Sequence, residues 1–162
     1  TVEETILSGF FSSVGVWPNH EVTPRMRARA AELMDLLELS HLAGRQMTEM
    51  SSGEVRRTVI ARALVNDPKA LLLDEPANSL GIRSQHELRS AVRRLAAQGI
   101  GLLLVTHHLP DIVPEVERVI CLKDGRVWLD GPKREILDAS TLSGLFGVSV
   151  RVEEFDGFYQ MF

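Results

Sequence analysis

The run Leu71-Leu72-Leu73-Asp74-Glu75-Pro76 constrains this chain more than any other feature. Apolar residues from Ala70 to Leu73 follow one another without alternation, the pattern expected of a strand buried on both faces of a parallel sheet. Two adjacent carboxylates and a proline then stop it. Open α/β sheets place their ligands at the carboxyl ends of the strands, so such a strand delivers Asp74 and Glu75 to the edge where chemistry is done. One carboxylate there can hold Mg²⁺ while its neighbour polarises a water. The local alternative is a strand that ends in solvent with two surface acids.

The flanking segments fit an α/β layout. Arg83 to Ala97 is an amphipathic helix stopped at Gly99, and Gly101 to Thr106 is a second apolar strand. Strand, helix and strand make one crossover, right-handed by the general rule. Upstream, Thr23-Pro24 opens a helix with apolar residues at Ala30, Leu33, Met34, Leu36 and Leu37, closed by Leu39 and Gly44. Another opens at Ser51 or Ser52, presents Val55, Val59, Ile60, Ala63 and Leu64, and ends at Asn66-Asp67-Pro68. Downstream, Arg118 to Leu122 and Arg126 to Leu129 flank the hairpin signal Lys123-Asp124-Gly125. Short helical pieces follow near Pro132 to Asp138 and Thr141 to Phe146. Alternation at Val148, Val150 and Val152 with a turn at Asp156-Gly157 predicts a second hairpin running to Phe162.

Composition narrows the function classes. The 162 residues, 44% hydrophobic and 25% charged, have the profile of one globular domain that needs no metal or disulfide to hold it. Eighteen Lys and Arg against 22 Asp and Glu leave a net charge of -4, which disfavours a nucleic-acid partner. No apolar run approaches the ~20 residues needed to cross a bilayer, and Thr1-Val2-Glu3-Glu4 lacks the order of a signal peptide. A cytoplasmic chain, at most peripheral to the inner face of a membrane, is expected. Its one cysteine, Cys121, lies in the apolar run Val119 to Leu122 and reads as a core residue in a reducing compartment. Without an initiator Met, the chain is expected to be processed or excerpted from something longer.

Two further segments fit phosphate chemistry. Met50-Ser51-Ser52-Gly53-Glu54 sets hydroxyls and a glycine at a helix start, where free amides and the helix dipole favour anions. Plain N-capping accounts for one serine there, but not for both or for Gly53. The second strand ends at Thr106-His107-His108, where a histidine can contact a phosphate or hold a water.

In this order the pieces resemble the back half of the nucleotide-binding domain of an ABC transporter ATPase, over Met50 to Gly131, with helical-subdomain character before it. The resemblance implies a partial P-loop NTPase (RecA-like) α/β core with a parallel sheet, an N-terminal helical subdomain and C-terminal β-hairpins. Its divisions would be 1–66, 67–131 and 132–162. Met50 to Glu54 resembles the signature LSGGQ, which grips the terminal phosphate of ATP bound to the opposite subunit of a head-to-tail dimer. Ser51 and Gly53 match; Ser52 replaces the first glycine, adding a Cβ where backbone approaches phosphate, and Glu54 replaces the glutamine. Leu71 to Asp74 resembles the Walker B strand, with Asp74 orienting Mg²⁺ through water and Glu75 as general base. His107 resembles the switch histidine, whereas His108 has no assigned role. Asn78-Ser79-Leu80-Gly81 resembles the D-loop, but Gly81 stands where the family has aspartate, which puts interface signalling in doubt. A simple turn before the next helix accounts for that shape equally well.

The family's Walker A loop, G-x-x-x-x-G-K-[ST], is missing from this sequence. So are the adenine-stacking aromatic and the Q-loop glutamine, and Val2-Glu3-Glu4-Thr5-Ile6 resembles the entry into the helical subdomain. Two expectations follow for the 162 residues: weak or absent ATP and Mg²⁺ binding with negligible hydrolysis, and an exposed apolar sheet edge and face that seek partners. Those partners would be a second copy or a full-length ATPase subunit, with a membrane permease for the parent transporter. The alternative is a non-catalytic half-domain or gene remnant that self-associates or lends its signature helix. A DNA-repair or translation ATPase fits less well, because no long coiled-coil pattern or second cassette is present. Ile6 to Trp17, with Phe10 and Phe11, reads as subdomain core or as a surface docking the permease.

Overall fold

Helices in this chain begin where a side chain can take up their unpaired amides. The computed structural model describes residues 1–162 and divides into two units, Thr1–Leu103 and Leu104–Phe162. In the first, α1 (Val2–Ser8) starts at a capping box between Thr1 and Glu4. Helix α2 (Pro24–Leu36) has Thr23 as its N-cap and proline at its first position, as the sequence predicts. Helix α3 (Ser52–Leu64) opens on a second capping box, Ser51 with Glu54. Helix α4 (Ile82–Ala97) has Gly81 as N-cap and no side-chain cap.

These helices bury one another's apolar faces. Helix α1 packs on α2 and α3, and α3 on α4, around Ile6, Leu7, Leu33, Leu37, Leu39, Leu64, Leu88 and Leu95, all fully buried. Each such side chain stabilises the unit by ~1.5–3 kcal/mol relative to exposure. Arg62 reaches back from α3 to Ser8 Oγ at 3.1 Å and the Ser13 carbonyl at 2.8 Å, tying down the end of α1. Of the Ile6 to Trp17 segment, Ile6 and Leu7 are core, while Val14 and Trp17 are exposed.

Strand β1 (Ala70–Asp74) neighbours β2 (Gly101–Val105) in a two-stranded sheet, joined at its entry by the Gly101 amide and the Lys69 carbonyl, 2.9 Å apart. Burial along β1 alternates, contrary to the expectation of a strand covered on both faces. Leu71 and Leu73 are buried, whereas Leu72 is 61% exposed. The unbroken apolar run is therefore matched by packing on one face only among the described residues.

In the second unit β3 (Arg118–Lys123) and β4 (Arg126–Pro132) form the expected antiparallel hairpin, with a bulge between Cys121 and Leu122. Its turn, Asp124-Gly125, has φ of 51° and 72°, the two positive values of the tight turn that matches strand twist. Helices α5 (Lys133–Ile136) and α6 (Ala139–Phe146) follow. Asp138 caps α6 through the Ser140 and Thr141 amides, and Gly147 ends it at φ 71°. Strands β5 (Val152–Phe155) and β6 (Phe158–Met161) make the second hairpin, turning at Asp156-Gly157, so the strand begins at Val152 rather than Val148. Leu109, Cys121, Ile136, Leu137, Leu142 and Tyr159 form the core of this unit, and burial pushes the Cys121 thiol up from its ordinary pKa.

Candidate functional site

The start of α3 holds the first group of site residues. Ser51 Oγ accepts from the Glu54 amide at 3.3 Å, and Glu54 Oε2 accepts from the Ser51 amide and hydroxyl, each at 2.7 Å. These bonds hold the Glu54 carboxyl below the usual carboxylate range. Glu54 is therefore the reciprocal half of a cap. Ser51 and Ser52 are exposed at a helix end that favours anions, with the Ser51 hydroxyl engaged in the cap with Glu54.

Gly53 is different: it is buried against α4. A Cβ built on it would lie 2.6 Å from both Cβ and Oγ of Ser84, so any larger residue would force Ser84 to shift. One turn further, Arg57 is 4% exposed and its Nη1 donates to Glu87 Oε2 at 2.6 Å. Arg83 Nε takes the other Glu87 oxygen at 2.8 Å. The two guanidinium groups hold the Glu87 carboxyl below its ordinary range. Arg57, Ser84 and Glu87 escape a sequence reading because each looks local: an arginine in a helix, a serine in a first turn, an i,i+4 pair with Arg83.

Asp74 ends β1 with its carboxylate exposed. As an oxygen donor facing solvent it fits a Mg²⁺ ion held through water. Glu75 follows at φ 43°, a left-handed conformation uncommon outside glycine. Ser79, at φ 62°, is the second such residue in the same loop. The Asn78 amide bonds the Glu75 carbonyl at 3.1 Å and the Leu80 amide bonds Ala77 at 3.2 Å. Ala77 and Leu80 are buried, which anchors the loop and leaves Asn78, Ser79 and Gly81 on the surface. Gln85 Nε2 donates to the Leu80 carbonyl at 3.0 Å, fixing the loop to the first turn of α4. Gly81 has ordinary N-cap angles and open space around it, so nothing local demands glycine; an aspartate there could cap α4.

His107 and His108 belong to the second unit, both exposed, with ring centroids 4.0 Å apart. The His108 amide donates to Thr106 Oγ1 at 3.0 Å, and that hydroxyl lies 3.4 Å from Asp111 Oδ2, shaping the exit of β2. Within the first unit, the Ser51–Glu54 segment and the Glu75–Gly81 loop are brought together through α4, by Gly53 against Ser84 and Gln85 against Leu80.

Known proteins resemble this chain in sequence and in fold. The ABC transporter family model matches residues 1–78. The chain is 33% identical over 153 residues to the uncharacterized ABC transporter ATP-binding protein YlmA of Bacillus subtilis, covering 92% of this chain and 56% of that protein. It superposes on the ADP conformation of MJ1267, an ATP-binding cassette of an ABC transporter, with a TM-score of 0.79 and 26% identity, covering 91% of this chain and 61% of the other. It also matches the dimeric bacterial ABC transporter cassette MJ0796, with a TM-score of 0.64 and 27% identity over 82% of this chain and 56% of the other. The chain thus spans little more than half the length of these relatives. No helix is long and apolar enough to cross a membrane.

Proposed function

Because this chain belongs to the ABC transporter ATPase family, as part of its nucleotide-binding domain, we propose that it supplies the signature, Walker B and switch elements of an ATP-hydrolysing transport subunit. The observation that carries this reading is the contact of α3 with α4. It joins the exposed Ser51 and Ser52 residues, through α4, to the loop that ends at Leu80 and Gly81.

In this reading Ser51, Ser52, Gly53 and Glu54 face the phosphate of ATP held by an opposing subunit, and Ser79, Leu80 and Gly81 lie at that interface. Glu75 accepts a proton from the attacking water. Asp74 would hold Mg²⁺ through water, and His107 would donate toward the terminal phosphate. When bound, MgATP supplies the phosphoanhydride and the metal charge that stabilises its cleavage. The three segments 1–66, 67–131 and 132–162 act as helical subdomain, half-core and C-terminal extension. The working assembly is a dimer on the cytoplasmic face of a membrane permease, and the 162 residues alone bind ATP poorly.

The test is ATP hydrolysis by the native assembly containing this chain. Glu75→Gln is expected to lower kcat at least a hundredfold, in line with loss of a general base, and Ser51→Ala to weaken turnover. An ATPase rate indifferent to Glu75→Gln overturns the proposal.

A further inference from the structure

One buried ion pair in the first unit has no part in the catalytic roles assigned above. Arg57 is the sole buried arginine, and its side chain is only 5% exposed, against 24% for Glu87. Its Nε is buried without a hydrogen-bond partner. Burying a guanidinium with one nitrogen unpaired is costly, and apolar side chains of similar volume would serve packing as well or better. What the pair offers instead is a defined register between α3 and α4.

That register joins the starts of α3 and α4, which also meet at Gly53 and Ser84. Arg57 is one turn beyond Gly53, and Glu87 one turn beyond Ser84, so the ion pair and the Gly53 contact lock the same two helix starts at two points. Arg83 closes on the other oxygen of Glu87 and fixes its rotamer. From α4 the linkage continues into the preceding loop, through Gln85 Nε2 on the Leu80 carbonyl and the Gln85 amide on the Gly81 carbonyl at 3.0 Å. At the other end the Ser51–Glu54 capping box fixes the first turn of α3.

We propose that Arg57 and Glu87 are a positioning pair that makes the Ser51–Glu54 segment and the Ser79–Gly81 turn move as one body. The functional importance of this coupling rests on the reading of those segments as signature and D-loop. The pair is assigned no contact with the nucleotide. The pair sets where the exposed hydroxyls stand relative to the loop that follows Glu75.

Two measurements test it. The first is amide hydrogen exchange on the 162-residue chain with Arg57→Gln, with Glu87→Gln, which keeps side-chain shape, and with the reversed pair Arg57→Glu/Glu87→Arg. Each single change is expected to speed exchange on the order of tenfold at the start of α3 and at residues 79–85 together, as loss of a charged hydrogen bond implies. The reversed pair is expected to recover most of it, with α1 and α2 unmoved throughout. Faster exchange confined to the mutated helix, equal rises across α1 and α2, or no recovery in the reversed pair overturns the proposal. The second is ATP turnover of the native assembly, where Glu87→Gln should lower kcat about tenfold at unchanged KM for ATP and the reversed pair should restore it. An unchanged kcat, or a raised KM alone, overturns the positioning role. Indifference of turnover to Glu75→Gln instead defeats the ATPase reading, with the exchange coupling still decided by the first measurement.

Discussion

Gly53 and Ser84 approach so closely that a Cβ on Gly53 would stand 2.6 Å from the Ser84 side chain. A glycine in the first turn of a helix reads in sequence as an opening for phosphate, yet here it also admits a neighbouring helix. Gly53→Ala is expected to destabilise the first unit by up to about 2 kcal/mol, overpacking of ~1–3 kcal/mol less alanine's helix gain of ~1 kcal/mol. Ser84→Gly in the same chain should return part of that loss. Urea unfolding of the two variants measures both.

Acid should weaken the contact between α3 and α4. Glu54 and Glu87 both have folded-state pKa values below the ordinary 4.5, Glu54 from its bonds to Ser51 and Glu87 from those to Arg83 and Arg57. A depressed carboxyl contributes stability that is fully present above the unfolded value and is lost as pH falls through the folded one. Thermal unfolding across that acid range is expected to show a smaller loss in Glu87→Gln than in the parent. An identical pH profile would count against Glu87 as a titrating anchor.

Lys133 is buried at the start of α5, and its Nζ donates to the carbonyls of Val113, Pro114 and Gly157 at 3.1, 3.0 and 3.3 Å. It therefore ties the β5–β6 turn to the loop after β2. Lys133→Met removes all three of these donations, although Val113 keeps the Val116 amide as a donor, and is expected to cost about 1–3 kcal/mol, read as faster amide exchange in β5 and β6. Burial lowers the folded pKa below the ordinary 10.5, so the unfolded chain holds this proton more tightly. Stability from this group should rise with pH between the two values, and the methionine variant should lack that rise.

The 162-residue chain by itself is expected to hydrolyse ATP negligibly, because in the roles proposed for them Asp74 and Glu75 would act only on a phosphate that something else anchors. A phosphate-release assay on the purified chain checks this. A robust rate abolished by Glu75→Gln would reverse the expectation.

Leu72 and Leu103, 61% and 55% exposed, leave apolar surface on the β1–β2 sheet. Such surface promotes association. Light scattering is expected to show oligomers that Leu72→Lys with Leu103→Lys reduces. A clean monomer in the unsubstituted chain would remove the argument.

Much of this protein is written in short stretches of sequence. Thr23-Pro24 and Ser51 with Glu54 start helices because their partners lie within three residues. Asp124-Gly125 and Asp156-Gly157 turn hairpins because both positions adopt positive φ. The Leu71–Asp74 run likewise marks a strand that ends in a carboxylate, at Asp74. Tertiary structure decided the rest: that β1 is covered on one face only, that Gly53 serves a helix contact, that Arg57 is buried on Glu87, and that Lys133 reaches three carbonyls. The physical reason is range. Caps and turns close hydrogen bonds among neighbouring residues, whereas burial and ion pairing depend on which distant element docks, as with Arg57 and Glu87, thirty positions apart.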